Sequence, residues 1–201
     1  MASATKSNNA LQIGFSPHVA SMLTEELQTL RDITSRLEAG GLDYMLTGSM
    51  ALNCYAHPRM TRDIGLVVVF YLKDADRIAD ILGPDYYVSS DAAREAVLHQ
   101  TSFNAIHQAS LTKVDFLVRK HGEYRHHEFE RRVRLRVENF DVWVVSKEDL
   151  ILSKLDWARD SQSARQFADV ENLIATGCDM DYVRAWSVKL SLIDMLTRVS
   201  P

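Results

Sequence analysis

Apolar positions along this chain fall into two alternating periods. Leu23, Leu27, Leu30, Ile33 and Leu37 are spaced four, three, three and four apart, one stripe of an amphipathic helix that opens after Pro17 and ends at Gly40-Gly41. The pattern then shortens. Residues 44–47 form an apolar run read as a buried strand, Gly48-Ser49 turns the chain, residues 50–55 make one or two helical turns, and Pro58 stops them. Residues 61–70 predict a second strand, β-branched and almost wholly apolar after Gly65, as expected of a central strand covered on both faces. A helix over 73–82 closes at Gly83-Pro84, a short strand spans 86–88, and Ser90 caps a helix running to about His99.

Strands follow at 103–106 and 113–118, then a pair at 133–137 and 141–145 around Glu138-Asn139. From Ser146 the period is helical to the end. Ser146-Lys147-Glu148-Asp149 resembles a capping box and opens a helix burying Leu150, Ile151, Leu155 and Ala158. A second helix covers 163–175 and stops at Gly177, and a last one covers 181–196. Residues 1–18 are small and polar and read as a loose arm, which leaves an α/β core over 19–145 and a helical part over 146–201.

Composition adds bounds to this picture. The 201 residues are 46% hydrophobic and 25% charged, ordinary for a globular protein. A net charge of −4 argues against a strongly basic, sequence-blind nucleic-acid binder, though a local patch stays open. Cys54 and Cys178 lie far apart with no Cys-x-x-Cys context and read as buried free thiols of a reducing compartment. With no run of transmembrane length and no basic-then-apolar leader, the expected location is the cytoplasm, away from membranes.

Candidate chemistry gathers at a few points. Gly48 and Ser49 stand where a strand ends and a helix begins, and free N–H groups there suit a phosphate. Asp63 opens the second strand, just after Arg62; a carboxylate at a strand end can hold Mg²⁺. Asp115 lies among apolar neighbours in Lys-Val-Asp-Phe-Leu-Val, where an ionised group needs either a cation or a pairing Arg or amide. Residues 119–136 carry seven Arg and Lys and three His against three Glu, which suits a solvated helix face or a patch for RNA or polyphosphate. His126 and His127 diverge by about 100° on a helix, which disfavours a shared metal. Arg165 and Asp169, four apart, read first as an intrahelical ion pair.

Gly48-Ser49, followed by Pro58-Arg59-Met60-Thr61-Arg62-Asp63 at the start of a strand, resembles the nucleotidyltransferase superfamily, in particular AbiEii-like and minimal nucleotidyltransferase toxins. The resemblance spans about 43–174 and includes Glu148 to Lys154 and Arg165 to Val170. It implies a polymerase-beta-like α/β fold, a mixed sheet flanked by helices, with the helical C-terminal part closing the cleft. It further implies transfer of a nucleoside monophosphate from an NTP to the hydroxyl of a tRNA-like RNA or a protein, with Mg²⁺ as cofactor and an antitoxin as partner. By the same resemblance, Asp63 and Asp115 bind the metal, Gly48, Ser49 and Lys154 meet the phosphates, and Arg165 and Asp169 help frame the pocket. Arg62 either steadies the site or pairs with a surface acid.

One position departs from the family pattern. The superfamily's strand begins Asp-x-Asp, and here the second acid is Gly65. Residues two apart on a strand share a face, so an acid at 65 would join Asp63 at a metal. Two-metal transfer holds its cations about 3.5–4 Å apart and needs ligands for both. The expectation is a retained nucleotide site with three explanations open: a non-catalytic nucleotide-binding or regulatory homologue, a weak enzyme, or a substituted active parent.

Overall fold

The computed structural model describes residues 12–13 and 24–199. Of the 1–18 arm only Gln12 and Ile13 are described, and they form a short strand paired with residues 136–137 instead of a loose segment; the rest of the arm and the start of the first helix, with Pro17 and Leu23, lie outside the described residues. The strands are β1 (Gln12–Ile13), β2 (Tyr44–Thr47), β3 (Asp63–Val68), β4 (Tyr86–Val88), β5 (Ser102–His107), β6 (Lys113–Val118), β7 (Val133–Val137) and β8 (Phe140–Val144). They form one mixed sheet in the order β1-β7-β8-β2-β3-β6-β5-β4. The helices are α1 (Thr24–Ala39), α2 (Gly48–Leu52), α3 (Leu72–Leu82), α4 (Ser90–His99), α5 (Glu123–Glu130), α6 (Lys147–Ser161), α7 (Ala164–Ala175), α8 (Met180–Lys189) and α9 (Ile193–Thr197).

Register explains why the site falls where it does. Leu46, Leu66, Phe116 and Phe103 face one another across four neighbouring strands, and all are buried. Phe103 stacks on Phe116 with ring centroids 4.9 Å apart. The α1 stripe of Leu27, Leu30, Ile33 and Leu37 is buried, and α1 packs on β3, β8 and α3. Strand β3 differs from its expected double coverage: Ile64, Leu66 and Val68 are buried, while Asp63, Gly65 and Val67 are not. Alternation on a pleated strand turns every second residue outward. Here that outward face carries the acids.

Four local readings shift. The helix at 90–99 is capped by Ser89, whose hydroxyl accepts from the Ala92 N–H, because Ser90 is already helical. The strand at 61–70 contracts to Asp63–Val68. The helical turns at 50–55 begin two residues earlier, at Gly48, as α2 (Gly48–Leu52). The last helix breaks in two at Ser191, whose φ of 57° is incompatible with a continuous helix. The Ser146 cap is as expected: its hydroxyl accepts from the Asp149 N–H and donates to the Asp149 carboxylate at 2.6 Å. Both cysteines are free, and burial pushes the Cys54 thiol up to about 12.

Candidate active site

The site begins with two rows of residues across the sheet. Strands β3 and β6 run parallel, with Asp63 opposite Lys113 and Gly65 opposite Asp115. Partners in register point to the same side, so Asp63, Gly65, Lys113 and Asp115 occupy one face. The antiparallel neighbours extend the second row to Thr47 on β2 and Asn104 on β5. The two candidate metal ligands therefore share a face, one step apart on adjacent strands. Strands spaced about 4.8 Å with about 6.6 Å between alternate residues allow carboxylates so placed to converge.

Lys113 completes this block. Its Nζ lies 2.7 Å from Asp115 Oδ1, and that hydrogen bond, with the Coulomb fields of Asp115 and Asp63, raises the ammonium pKa against its partial desolvation. The Asp63 carboxylate makes no ion pair or side-chain hydrogen bond among the described residues. At Gly65 an added Cβ would sit 3.4 Å from Thr47 Cγ2, ordinary van der Waals contact, so the backbone has room for the missing acid. Among the described residues no three His, Cys, Asp or Glu side chains gather as a metal site. Asp63 and Asp115 fit a cation that takes only one or two protein ligands, as Mg²⁺ on a nucleotide does. They do not fit a second, protein-held metal.

A second cluster borders the first. Thr47 ends β2, and Gly48 takes φ 70°, which lets the chain turn into α2. Ser49 follows, and its hydroxyl accepts from Arg59 Nη2. The same guanidinium clasps Asp169 with two hydrogen bonds, Nε to Oδ1 at 2.8 Å and Nη2 to Oδ2 at 2.9 Å. Lys154, from α6, donates to Asp169 Oδ2 at 2.7 Å and to Gln166 at 3.3 Å. The chain from Ser49 through Arg59 and Asp169 to Lys154 thus ties α2, the following loop, α7 and α6 together.

That loop is held from both ends. The Asn53 amide exchanges two hydrogen bonds with the Arg59 backbone, and the Asn172 amide does so with His57. The Tyr55 hydroxyl donates to the Val145 carbonyl at 2.7 Å. Burial lowers the Lys154 pKa, aided by the nearby Arg59 charge and opposed by Asp169. Burial acts to raise Asp169, but hydrogen bonds from Arg59 and Lys154 outweigh it and hold the carboxyl below its usual range. Lys154 is almost wholly buried, whereas the Arg59 side chain keeps 27% of its exposure, so Arg59 is the cation open to a ligand.

The structure brings Gly48, Ser49, Asp63 and Asp115 to one region of the sheet and links Lys154 to Ser49. Arg62 is exposed and forms no ion pair among the described residues. Asp169 pairs with Arg59 and Lys154, not with Arg165, because its side of α7 faces α6. The basic segment 119–136 is largely spent within the protein. Arg125 binds Glu128 and Asp156; Arg131 binds Asp149 and lies over the Tyr182 ring; Arg132 covers Phe129 and Trp143. Arg134 and Arg136 pair with Glu38 and Asp141. A helix face open to polyphosphate is not what this segment forms. Two residues went unassigned by sequence reasoning: Arg59, although it lies inside the quoted lead-in motif, and Lys113, whose partner only the register reveals.

Residues 35–191 match the family described as nucleotidyl transferase AbiEii toxin, type IV toxin–antitoxin system. The chain belongs to the AbiEii nucleotidyl transferase toxin family. No curated protein matches its sequence. Among solved structures, the antibiotic-resistance factor ANT(2'')-Ia is 13% identical, with 89% of this chain and all of that one covered and a TM-score of 0.52. This likeness shows a shared nucleotidyltransferase fold. The lincosamide antibiotic adenylyltransferase LnuA, solved with lincomycin bound, is 12% identical over 74% of this chain and 94% of that one, TM-score 0.49. An antigenic nucleotidyltransferase-like protein from Paracoccidioides brasiliensis is 20% identical over 76% and 75%, TM-score 0.48. Among the described residues of this AbiEii-family chain, no helix is long and apolar enough to cross a membrane.

Proposed function

We propose that this AbiEii-family protein binds an NTP with Mg²⁺ and transfers its nucleoside monophosphate to a hydroxyl of an RNA or a protein, releasing pyrophosphate. The observation that carries the reading is the shared face of Asp63 and Asp115 beside the Gly48-Ser49 turn and its Arg59 cation. Asp63 and Asp115 are the residues that would hold a metal, which when bound neutralises phosphate charge. Gly48 and Ser49 offer backbone N–H groups to a phosphate oxygen, and the Arg59 guanidinium faces the same space. Lys154 acts from behind by fixing Asp169, which fixes Arg59. The acceptor oxygen forms its bond to the α-phosphorus as the bond to the β-phosphate oxygen breaks, and the hydroxyl proton leaves to an open oxygen of Asp63. The helical part over 146–201 closes the cleft through Lys154 and Asp169, while 19–145 supplies the core. Nothing in the internally paired segment 119–136 favours RNA over protein as acceptor. A cognate antitoxin and a cytoplasmic setting belong to this same reading.

Gly65 supports a second reading, a nucleotide-binding regulatory homologue without turnover, since it removes one carboxylate from the face. The two separate in one assay. The protein is incubated with each α-³²P-labelled NTP and Mg²⁺, with total RNA and total protein as acceptors. Label moved to an acceptor by the wild type, and lost in Asp63→Ala, supports transfer. Nucleotide binding without transfer, with transfer emerging in Gly65→Asp, supports the second reading. Neither binding nor transfer in either protein refutes both.

A further inference from the structure

The block of four positions on β3 and β6 holds one feature that the transfer reading does not use. Asp63 stands opposite Lys113, Gly65 stands opposite Asp115, and Lys113 Nζ lies 2.7 Å from Asp115 Oδ1. Lys113, two residues before Asp115 on the same strand, shares its face and stands opposite Asp63, and the glycine at 65 places no further acid opposite Asp115. The side chains of the block sum to one negative charge: two carboxylates, one ammonium and a glycine. An acid at 65 would double that charge, and loss of the ammonium would do the same. Divalent-cation affinity rises with carboxylate charge, so both sequence choices act in one direction.

We propose that Lys113 is the resident cation of the Asp63–Asp115 pair and makes divalent-metal binding conditional on nucleotide. The proposal rests on the nucleotidyltransferase reading of this face. In the nucleotide-free protein the ammonium occupies Asp115 Oδ1 and cancels the charge that would draw a bare divalent ion. A metal carried on a triphosphate brings its own phosphate ligands and needs little from the protein. It can use Asp63 and the remaining oxygen of Asp115, or displace the ammonium toward the phosphates, where its charge is again satisfied. Lys113 is half exposed at a strand start, so it has room for that movement.

The test is Mn²⁺ binding to the full chain, followed by the electron paramagnetic resonance signal of free Mn²⁺, with and without a non-hydrolysable ATP analogue. Without nucleotide, wild type is expected to bind Mn²⁺ weakly. Lys113→Met, which keeps the aliphatic stem, is expected to bind at least about tenfold tighter, the effect of removing one nearby like charge at the surface. Lys113→Gln serves as a second variant should the first fail to fold by circular dichroism. Adding Asp115→Asn to either is expected to abolish the gain. With the analogue bound, wild type and Lys113 variants are expected to converge. Unchanged nucleotide-free affinity in folded Lys113 variants overturns the proposal, as does tight Mn²⁺ binding by nucleotide-free wild type. These outcomes stand apart from the transfer reading: a chain that moves label normally, with metal affinity indifferent to Lys113, loses only this inference. A chain that binds no nucleotide loses the transfer reading, while the nucleotide-free affinities still report on Lys113.

Discussion

Asp169 offers the most demanding test of the site's construction. Its side chain is 5% exposed and that of Lys154 6%, so Asp169→Ala would leave an ammonium buried without a counter-charge and a guanidinium stripped of its clasp. Removing one member of a buried pair costs about 3–5 kcal/mol, because the survivor keeps its desolvation penalty. For a chain of this length each kcal/mol moves the melting temperature by roughly 2–4 °C, so the fall should be about 6–20 °C. Replacing both partners by apolar residues, Lys154→Met with Asp169→Leu, should recover much of that loss, since no charge is then left buried.

The pH dependence supplies signs as well as sizes. The Asp169 carboxyl is held below its usual range, so as pH falls the unfolded chain takes up this proton first. Its stabilising contribution is complete above the unfolded value of about 4 and is lost as pH drops through the lower folded value. Asp169→Ala should lack that part of the acid transition. Lys154 moves oppositely: burial lowers its pKa already, and removing Asp169 removes the raising influence. The variant's deficit should therefore shrink as pH rises toward the lysine range, because a neutral amine is cheaper to bury. Chemical denaturation of wild type, single and double variants between pH 3 and 10 reads all of this. A loss below about 1 kcal/mol at neutral pH, or a deficit that grows as pH rises from neutral toward the lysine range, would refute the argument.

Three further outcomes follow from named contacts. Gly48→Ala should cost about 1–2 kcal/mol in denaturation, because φ there is 70° and a Cβ disfavours that conformation even where space is open. Tyr55→Phe removes a donor to the Val145 carbonyl and should cost about 0.5–1.5 kcal/mol, measured the same way. Gly65→Asp should fold with the wild-type circular dichroism spectrum, since its Cβ meets only ordinary contact at Thr47. Its labelled-nucleotide transfer should exceed that of wild type by roughly tenfold or more, as expected when a metal ligand is regained.

Much of this protein was legible from residue order alone. The short strand at 44–47, the turn at Gly48, the strand pair around Glu138-Asn139 and the Ser146 cap are local events, and local periodicity and capping chemistry specify them. The lead-in motif before Asp63 likewise pointed to the nucleotidyltransferase superfamily, and the family match over 35–191 agrees. Pairing across long sequence separations was beyond that reach. Asp169 has an obvious partner four residues away in Arg165, yet it binds Arg59, 110 residues distant, and Lys154 on the neighbouring helix. The seven basic residues of 119–136 read as a solvated helix face or a phosphate patch, but aromatic rings and acids, several from distant segments, take most of them. Lys113 gained its meaning only from the β3–β6 register, which sets it opposite Asp63 and beside Asp115. The physical reason is common to all three. A charge is satisfied by whichever counter-charge lies nearest in space, and sheet register and helix packing, not sequence distance, decide which one that is.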